Sequence, residues 1–308
     1  MKLWPQELLA AFLMLAVPAM PVAAQVSIEA MPPHHVRPRP TANLAPTSAW
    51  AADFAADNCA LTRSFGDANG SVTLRLRQFA PEARLEVTLA SGTFELQPYE
   101  PTYAFGSGEP LEIPFYQTFE IDGGVRGVVF EALLHQPQTV SALLPFAADD
   151  PALRAVDRVA VRNVFDHGVI LQTGSLGQPL TVLASCLDDL VASWGLDPAA
   201  HHTLSRPVTE RDPDHPWPGQ LAGRAAAVTQ WPSDKMDFVL LVSEFGRISQ
   251  CRLVGGSPND AGLADRICEA MPKDWQFGPA LDANGQPIRS YRLATLVKQT
   301  RTTVSGFH

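Results

Sequence analysis

Ser175 is the side chain best placed by its neighbours to act as a nucleophile. It stands in Thr173-Gly174-Ser175-Leu176-Gly177, between a segment read as a strand and one read as a helix. The elbow of α/β-hydrolases needs Gly-x-Ser-x-Gly at such a junction, because only that spacing holds the hydroxyl on a tight, exposed turn. Gly174 directly precedes Ser175, so the spacing fails, and Ser175 is expected to cap or lead into the helix. Asp188-Asp189 and Asp149-Asp150 could be paired acids, but neighbours on a helix point about 100° apart and do not face one substrate. Asp67-Ala68-Asn69-Gly70 recurs as Asp282-Ala283-Asn284-Gly285. A calcium loop would run on to a bidentate glutamate, whereas Asn-Gly is the preferred hairpin dipeptide, so both are read as turns. His34-His35, His201-His202 and His215 lie in Pro-rich stretches and are read as solvated loop residues; His135 and His167 have no recognisable carboxylate partner in the sequence. No Asp-Thr-Gly, His-Glu-x-x-His, P-loop or dinucleotide fingerprint occurs. The expectation is a protein without catalytic, cofactor or metal residues; the alternative is a hydrolase whose site, in a β-rich domain or a domain cleft, follows no familiar motif.

Four cysteines carry a different kind of chemistry: Cys59, Cys186, Cys251 and Cys268. An even number in an exported chain suggests two disulfides, with three connectivities open. Cys251 falls on the second strand of a hairpin and Cys268 on the helix expected to pack over it, so these two are paired; Cys59 and Cys186 are left for each other. The competing reading is four buried thiols. A zinc site is disfavoured, because no Cys-x-x-Cys pair occurs and no histidine lies near a cysteine at ligand spacing.

Export is expected from residues 1–24. Lys2 and the amino terminus give a thin basic region, Leu8 to Val17 is unbroken and apolar, and Val22-Ala23-Ala24 offers a small-residue cleavage site before Gln25. The expected destination is the periplasm, with no stable membrane insertion once the signal is removed. The alternative is an uncleaved inner-membrane anchor, since no charge occurs from Leu8 to Ile28. The net charge of −9 is spread along the chain, which argues against a nucleic-acid partner.

These residues sit on a chain that divides at its prolines. Residues 25–47 form a Pro-rich, extended, mobile leader, and 197–223 a second Pro-rich linker. Between them, 48–196 reads as a β-rich, sandwich-like domain with a packed helix. Val72 to Phe79 alternates strictly, Arg84 to Leu89 repeats the pattern, and strands are expected at 94–96, 112–115, 117–121, 125–130 and 169–174. Ala152 to Val159 reads as strand or short helix. Gly177 to Trp194 reads as a helix with Leu180, Leu183, Leu187, Leu190, Val191 and Trp194 on one face and Gly195 at its end. Residues 224–308 read as a small antiparallel sheet with one helix: a hairpin turning at Glu244-Phe245-Gly246-Arg247, a helix through Leu263, Ile267, Ala270 and Met271, and a last strand from Tyr291 to Val297. The whole is α+β.

Trp231-Pro232, the strand–Gly–strand hairpin, and Phe277-Gly278-Pro279-Ala280 followed by Asp282, Gly285 and Pro287 resemble the C-terminal domain of TonB-type energy transducers. In that family a Tyr-Pro dipeptide precedes the hairpin; here Trp231 takes the tyrosine position. The arrangement of Trp50, Asn58-Cys59 and Ser185-Cys186-Leu187-Asp188-Asp189-Leu190 ahead of such a module resembles exported proteins of Alphaproteobacteria. The TonB resemblance implies a non-enzymatic module that binds an envelope protein or peptide segment by strand addition, or an energy transducer should the N-terminal segment remain as an anchor. The order of elements puts the last strand at a sheet edge. The partner-binding residues so implied are Trp231, Pro232, Tyr291, Leu293, Thr295 and Val297.

Overall fold

Residues 70–78 alternate buried and half-buried without a break, and that period of two builds the largest sheet. The computed structural model describes residues 39–121, 123–134, 151–211, 235–256, 261–269 and 276–297. The first half of the chain contributes β1 (Thr41–Leu44), β2 (Ala51–Phe54), β3 (Cys59–Asp67), β4 (Gly70–Gln78), β5 (Arg84–Ser91), β6 (Thr102–Phe105), β7 (Leu111–Glu112), β8 (Tyr116–Ile121) and β9 (Val125–Leu133). Then come α1 (Pro151–Arg154), β10 (Val159–Arg162), β11 (Gly168–Leu171), α2 (Gly177–Ser193) and α3 (Pro198–His202). The last part holds β12 (Lys235–Val242), β13 (Ile248–Gly255), α4 (Ala261–Glu269), β14 (Ala280–Leu281), β15 (Pro287–Ile288) and β16 (Ser290–Val297). The fold is mixed α+β and strand-rich, with several antiparallel sheets and few helices.

A six-stranded antiparallel sheet runs in the order β2-β3-β4-β5-β9-β8. Leu74, Leu76, Leu85, Val87, Leu89, Val128 and Phe130 form its buried face. A five-stranded sheet, β1-β11-β10-β6-β7, shares the same core through Tyr103, Val159, Val161, Val169 and Leu171. β1 pairs in parallel with β11, Thr41 to Leu44 lying opposite Gly168 to Leu171. Residues 41–44, expected to belong to a mobile leader, are instead a strand: their backbone groups find partners on the edge of β11, where Gly168 N–H also donates to Pro40 O.

Helix α2 packs on this core through Leu180, Leu183, Leu187, Leu190 and Val191, the face expected from the sequence. It ends where Gly195 adopts φ +72°, which an L side chain would resist; Gly195 N–H donates to Ala192 O and Leu196 N–H to Val191 O. Cys186 on this helix bonds Cys59 on β3, with Cα atoms 6.0 Å apart. Ser175 leads into the helix, accepting from Gly177 N–H at 3.3 Å while its hydroxyl donates to Arg154 O at 2.7 Å.

The C-terminal sheet has the order β13-β12-β16, antiparallel throughout. Its hairpin turns at Gly246, where φ is +77° and a Cβ would strike the carbonyl oxygen of Phe277. Cys251 on β13 bonds Cys268 on α4, with Cα atoms 5.7 Å apart. The second Pro-rich stretch also carries structure: Asp197 caps α3 by accepting from Ala199 N–H, and Arg206 and Thr209 bridge to Leu281 and Gly278. The described residues belong to one compact unit.

Candidate functional site

Strand β12 is buried along its whole length, because both of its faces are covered. Met236, Phe238, Leu240 and Val242 pack with Leu263 and Ile267 of α4 and with Ala294 and Leu296 of β16. Val239 and Leu241 point the other way and join the larger core, where Tyr291 and Leu293 of β16 also pack. Lys235 and Asp237 have the parity of Val239 and Leu241. Two charged residues thus stand on a strand face that is otherwise apolar, 9% and 2% exposed.

Their partners come from the six-stranded sheet. Arg77, Glu86 and Glu131 hold directly opposed positions on β4, β5 and β9. Glu86 opposite Glu131 is a like-charge pair, which by itself destabilises a sheet. Lys235 resolves it: its Nζ lies 3.4 Å from Glu86 Oε2, 3.1 Å from Glu131 Oε1 and 3.1 Å from Asp237 Oδ2. Arg77 pairs with the second oxygen of Glu86, and Arg84 with Glu131 at 3.2 Å. The Thr295 hydroxyl donates to Asp237 Oδ1 at 2.7 Å, tying β16 to the same network.

Burial works against the Lys235 ammonium, but Asp237, Glu131 and Glu86 outweigh it and hold the pKa above the usual lysine value. Lys235 is therefore a fixed cation, not an amine nucleophile. Burial raises the Asp237 carboxyl, with Lys235 and Thr295 pulling it back. For Glu131 burial also raises, yet Lys235 and Arg84 together bring it below its ordinary value.

A cavity of about 240 Å³ opens between this network and β16, lined among others by Gln78, Glu82, Arg292 and Thr295. A smaller one of about 30 Å³ lies further along the same strand, between Glu82, Pro207, Ser290 and Arg292. β16 is paired on one side by β12; among the described residues no strand pairs with its other side. Glu82 lines both cavities. Burial pushes its carboxyl up to about 7, Arg84 and Arg292 opposing and Glu131 and Asp237 adding to the rise.

The residues expected at the partner surface are only partly brought together. Trp231 and Pro232 fall outside the described residues. Tyr291 is turned inward: its ring meets Trp194 edge-on at 5.3 Å and stacks on His201 at 5.6 Å, and its hydroxyl donates to Pro81 O at 2.8 Å. Leu293 packs against the larger core, and Thr295 serves Asp237. Val297 ends β16 opposite Lys235. The side chains thus tie the strand down, and residues 290–295 of β16 line the two cavities. The charged network was missed from sequence. Its signal was the parity of Lys235 and Asp237 with Val239 and Leu241, which sets charges on a face that must be buried.

Other side chains with chemical potential settle into structural roles. His201 is not a solvated linker residue; it is 5% exposed. Its Nδ1 lies 2.7 Å from the carbonyl oxygen of Asp197, so Nδ1 carries the proton and Nε2 accepts from the Ser290 hydroxyl at 3.0 Å. Burial lowers its pKa against the pull of Asp197. His202 pairs with Asp188 at 2.9 Å, and His167 does have a carboxylate neighbour, Asp166, at 3.2 Å. Both Asp-Ala-Asn-Gly segments are turns, Asp67 and Asp282 accepting from Asn69 and Asn284 N–H. His34, His35, His135, His215, Asp149 and Asp150 lie outside the described residues. Among the described residues no group of three or more His, Cys, Asp or Glu is arranged to hold a metal ion.

No family model, curated protein or solved structure matches this chain. The two disulfides fit an exported protein in an oxidising compartment, and no helix among the described residues is long and apolar enough to cross a membrane.

Proposed function

We propose that this is a non-enzymatic periplasmic protein that holds an extended protein or peptide segment along the outer edge of β16. The observation that carries the reading is that no strand among the described residues pairs with the second side of β16, while its residues 290–295 line two cavities. An edge of this kind presents a row of N–H and C=O groups to an incoming chain. The order of strand, Gly turn, strand, helix and last strand, with its resemblance to TonB C-terminal domains, supports the same use. The reading includes removal of residues 1–24 on export.

A second reading, a structural scaffold, is favoured by one specific observation. Lys235 and Tyr291 bind the C-terminal sheet to the rest of its own chain, at Glu86, Glu131 and Pro81. Hydrogen exchange separates the two. The test titrates the purified protein with capped eight-residue peptides of alternating valine and threonine. Strand addition slows exchange at alternate amides of β16, and N-methylation of the peptide in one alternating phase abolishes the effect while the other phase spares it. Unchanged β16 exchange throughout, at millimolar peptide, would leave the scaffold reading standing alone.

A further inference from the structure

Charge pairing around the cleft leaves one carboxylate over. Four cations line it, Arg77, Arg84, Lys235 and Arg292. Each is already engaged: Arg77 by Glu86, Arg84 by Glu131, Lys235 by three carboxylates, and Arg292 by Glu210 at 2.8 Å. The fifth carboxylate is Glu82. Its backbone oxygen accepts from Gln78 Nε2 at 2.7 Å, but its carboxylate makes no hydrogen bond or ion pair among the described residues. Its place is specific, because it lines both cavities that flank β16 from Ser290 to Thr295.

We propose that Glu82 is a specificity-determining residue, and that the bound segment presents a lysine or arginine side chain to it. The inference rests on strand addition at β16. A cation delivered there completes the pairing of the cleft. A neutral side chain leaves Glu82 as it is, and an acidic one adds a second like charge beside Glu131 and Asp237, which already act on Glu82. The raised carboxyl agrees: a cation bound beside it draws the pKa down and releases a proton where the group carries one.

The test uses capped eight-residue valine–threonine peptides that differ only at one central position, carrying lysine, norleucine or glutamate, with the position scanned along the peptide. Calorimetry at pH 7 in phosphate and in Tris measures affinity and proton release. The lysine peptide should bind about tenfold more tightly than norleucine in its best register, the difference of one charge-assisted hydrogen bond. It should release protons, and glutamate should bind worst. In Glu82→Gln both the preference and the buffer-dependent heat should vanish while norleucine binds as before. Equal affinities for all three peptides, with alternate β16 amides still protected, would overturn the role of Glu82 and leave strand addition intact. A Glu82→Gln protein that keeps the lysine preference would overturn it as well. Failure of every peptide to protect β16 would remove strand addition and this inference together.

Discussion

Replacing Lys235 by methionine tests whether the charged network fastens the C-terminal sheet to the rest of the chain. Methionine keeps the length and apolar stem, so the loss is the ammonium itself. Three carboxylates then lose their common cation, but not equally. Glu86 keeps Arg77, and Glu131 keeps Arg84 and is a third exposed. Asp237, 2% exposed, keeps only the Thr295 hydroxyl. Breaking a buried pair from one side costs about 3–5 kcal/mol, and the retained partners put this case at the lower end, about 3 kcal/mol at pH 7. The loss must depend on pH. Burial already sets the folded pKa of Asp237 above its unfolded value, and removing Lys235 raises it further. The native state then takes up the proton first as pH falls, so the stability this group contributes is present below the unfolded pKa and is lost as pH rises through the folded one. Lys235→Met should accordingly lose less at pH 5 than at pH 7. Adding Asp237→Asn should recover most of the deficit, because the orphaned charge is then gone. Urea unfolding at both pH values measures all three proteins. A loss under 1 kcal/mol at pH 7, or one that grows on acidification, would refute the reasoning.

Two further outcomes follow from the disulfides and the leader. Replacing Cys59 and Cys186 together by alanine opens a link spanning 127 residues, against 17 for Cys251 and Cys268. The chain-entropy model expects losses of about 5 and 3 kcal/mol respectively, so denaturant midpoints should fall further for the first pair. Intact mass of the protein from an envelope fraction should correspond to a chain beginning at Gln25; a full-length, carbonate-resistant species would instead indicate an anchor and an energy-transducing role.

The legible parts of the fold were those whose signal is local. Strict alternation over Val72 to Phe79 and the leucine face of α2 describe one element each, and both appear as expected. The tight turns at Gly246 and at Asp282 to Gly285 follow from residues that bond within four positions of one another. What was illegible depends on partners far away in the chain. Thr41 to Leu44 has no strand signal among its prolines and becomes a strand because β11 offers it an edge. His201 looks like a loop histidine until Ser290, 89 residues on, closes over it. The network around Lys235 joins positions about 150 residues apart, and periodicity carries no trace of such pairing beyond the misplaced charges themselves.

An unpaired strand edge on an exported protein is a hazard as well as an opportunity, because any extended chain can pair with it. Natural sheets blunt such edges with inward charges; here Lys235 and Asp237 stand one strand in, on β12, and Arg292 on β16 itself. If protection were the whole purpose, the charges should neutralise one another, as Arg77, Arg84, Lys235 and Arg292 do with their partners. Glu82 breaks that balance. It makes no direct ion pair among the described residues, and burial in the cleft raises its carboxyl, Arg84 and Arg292 opposing and Glu131 and Asp237 adding to the rise. A merely guarded edge has no use for a carboxylate kept in that condition. An edge that admits one class of chain does, because the same residue that repels acidic strands and gains nothing from neutral ones is satisfied by a basic one. Glu82, more than the edge of β16, is therefore the feature on which the proposed selective capture, as against simple avoidance, rests.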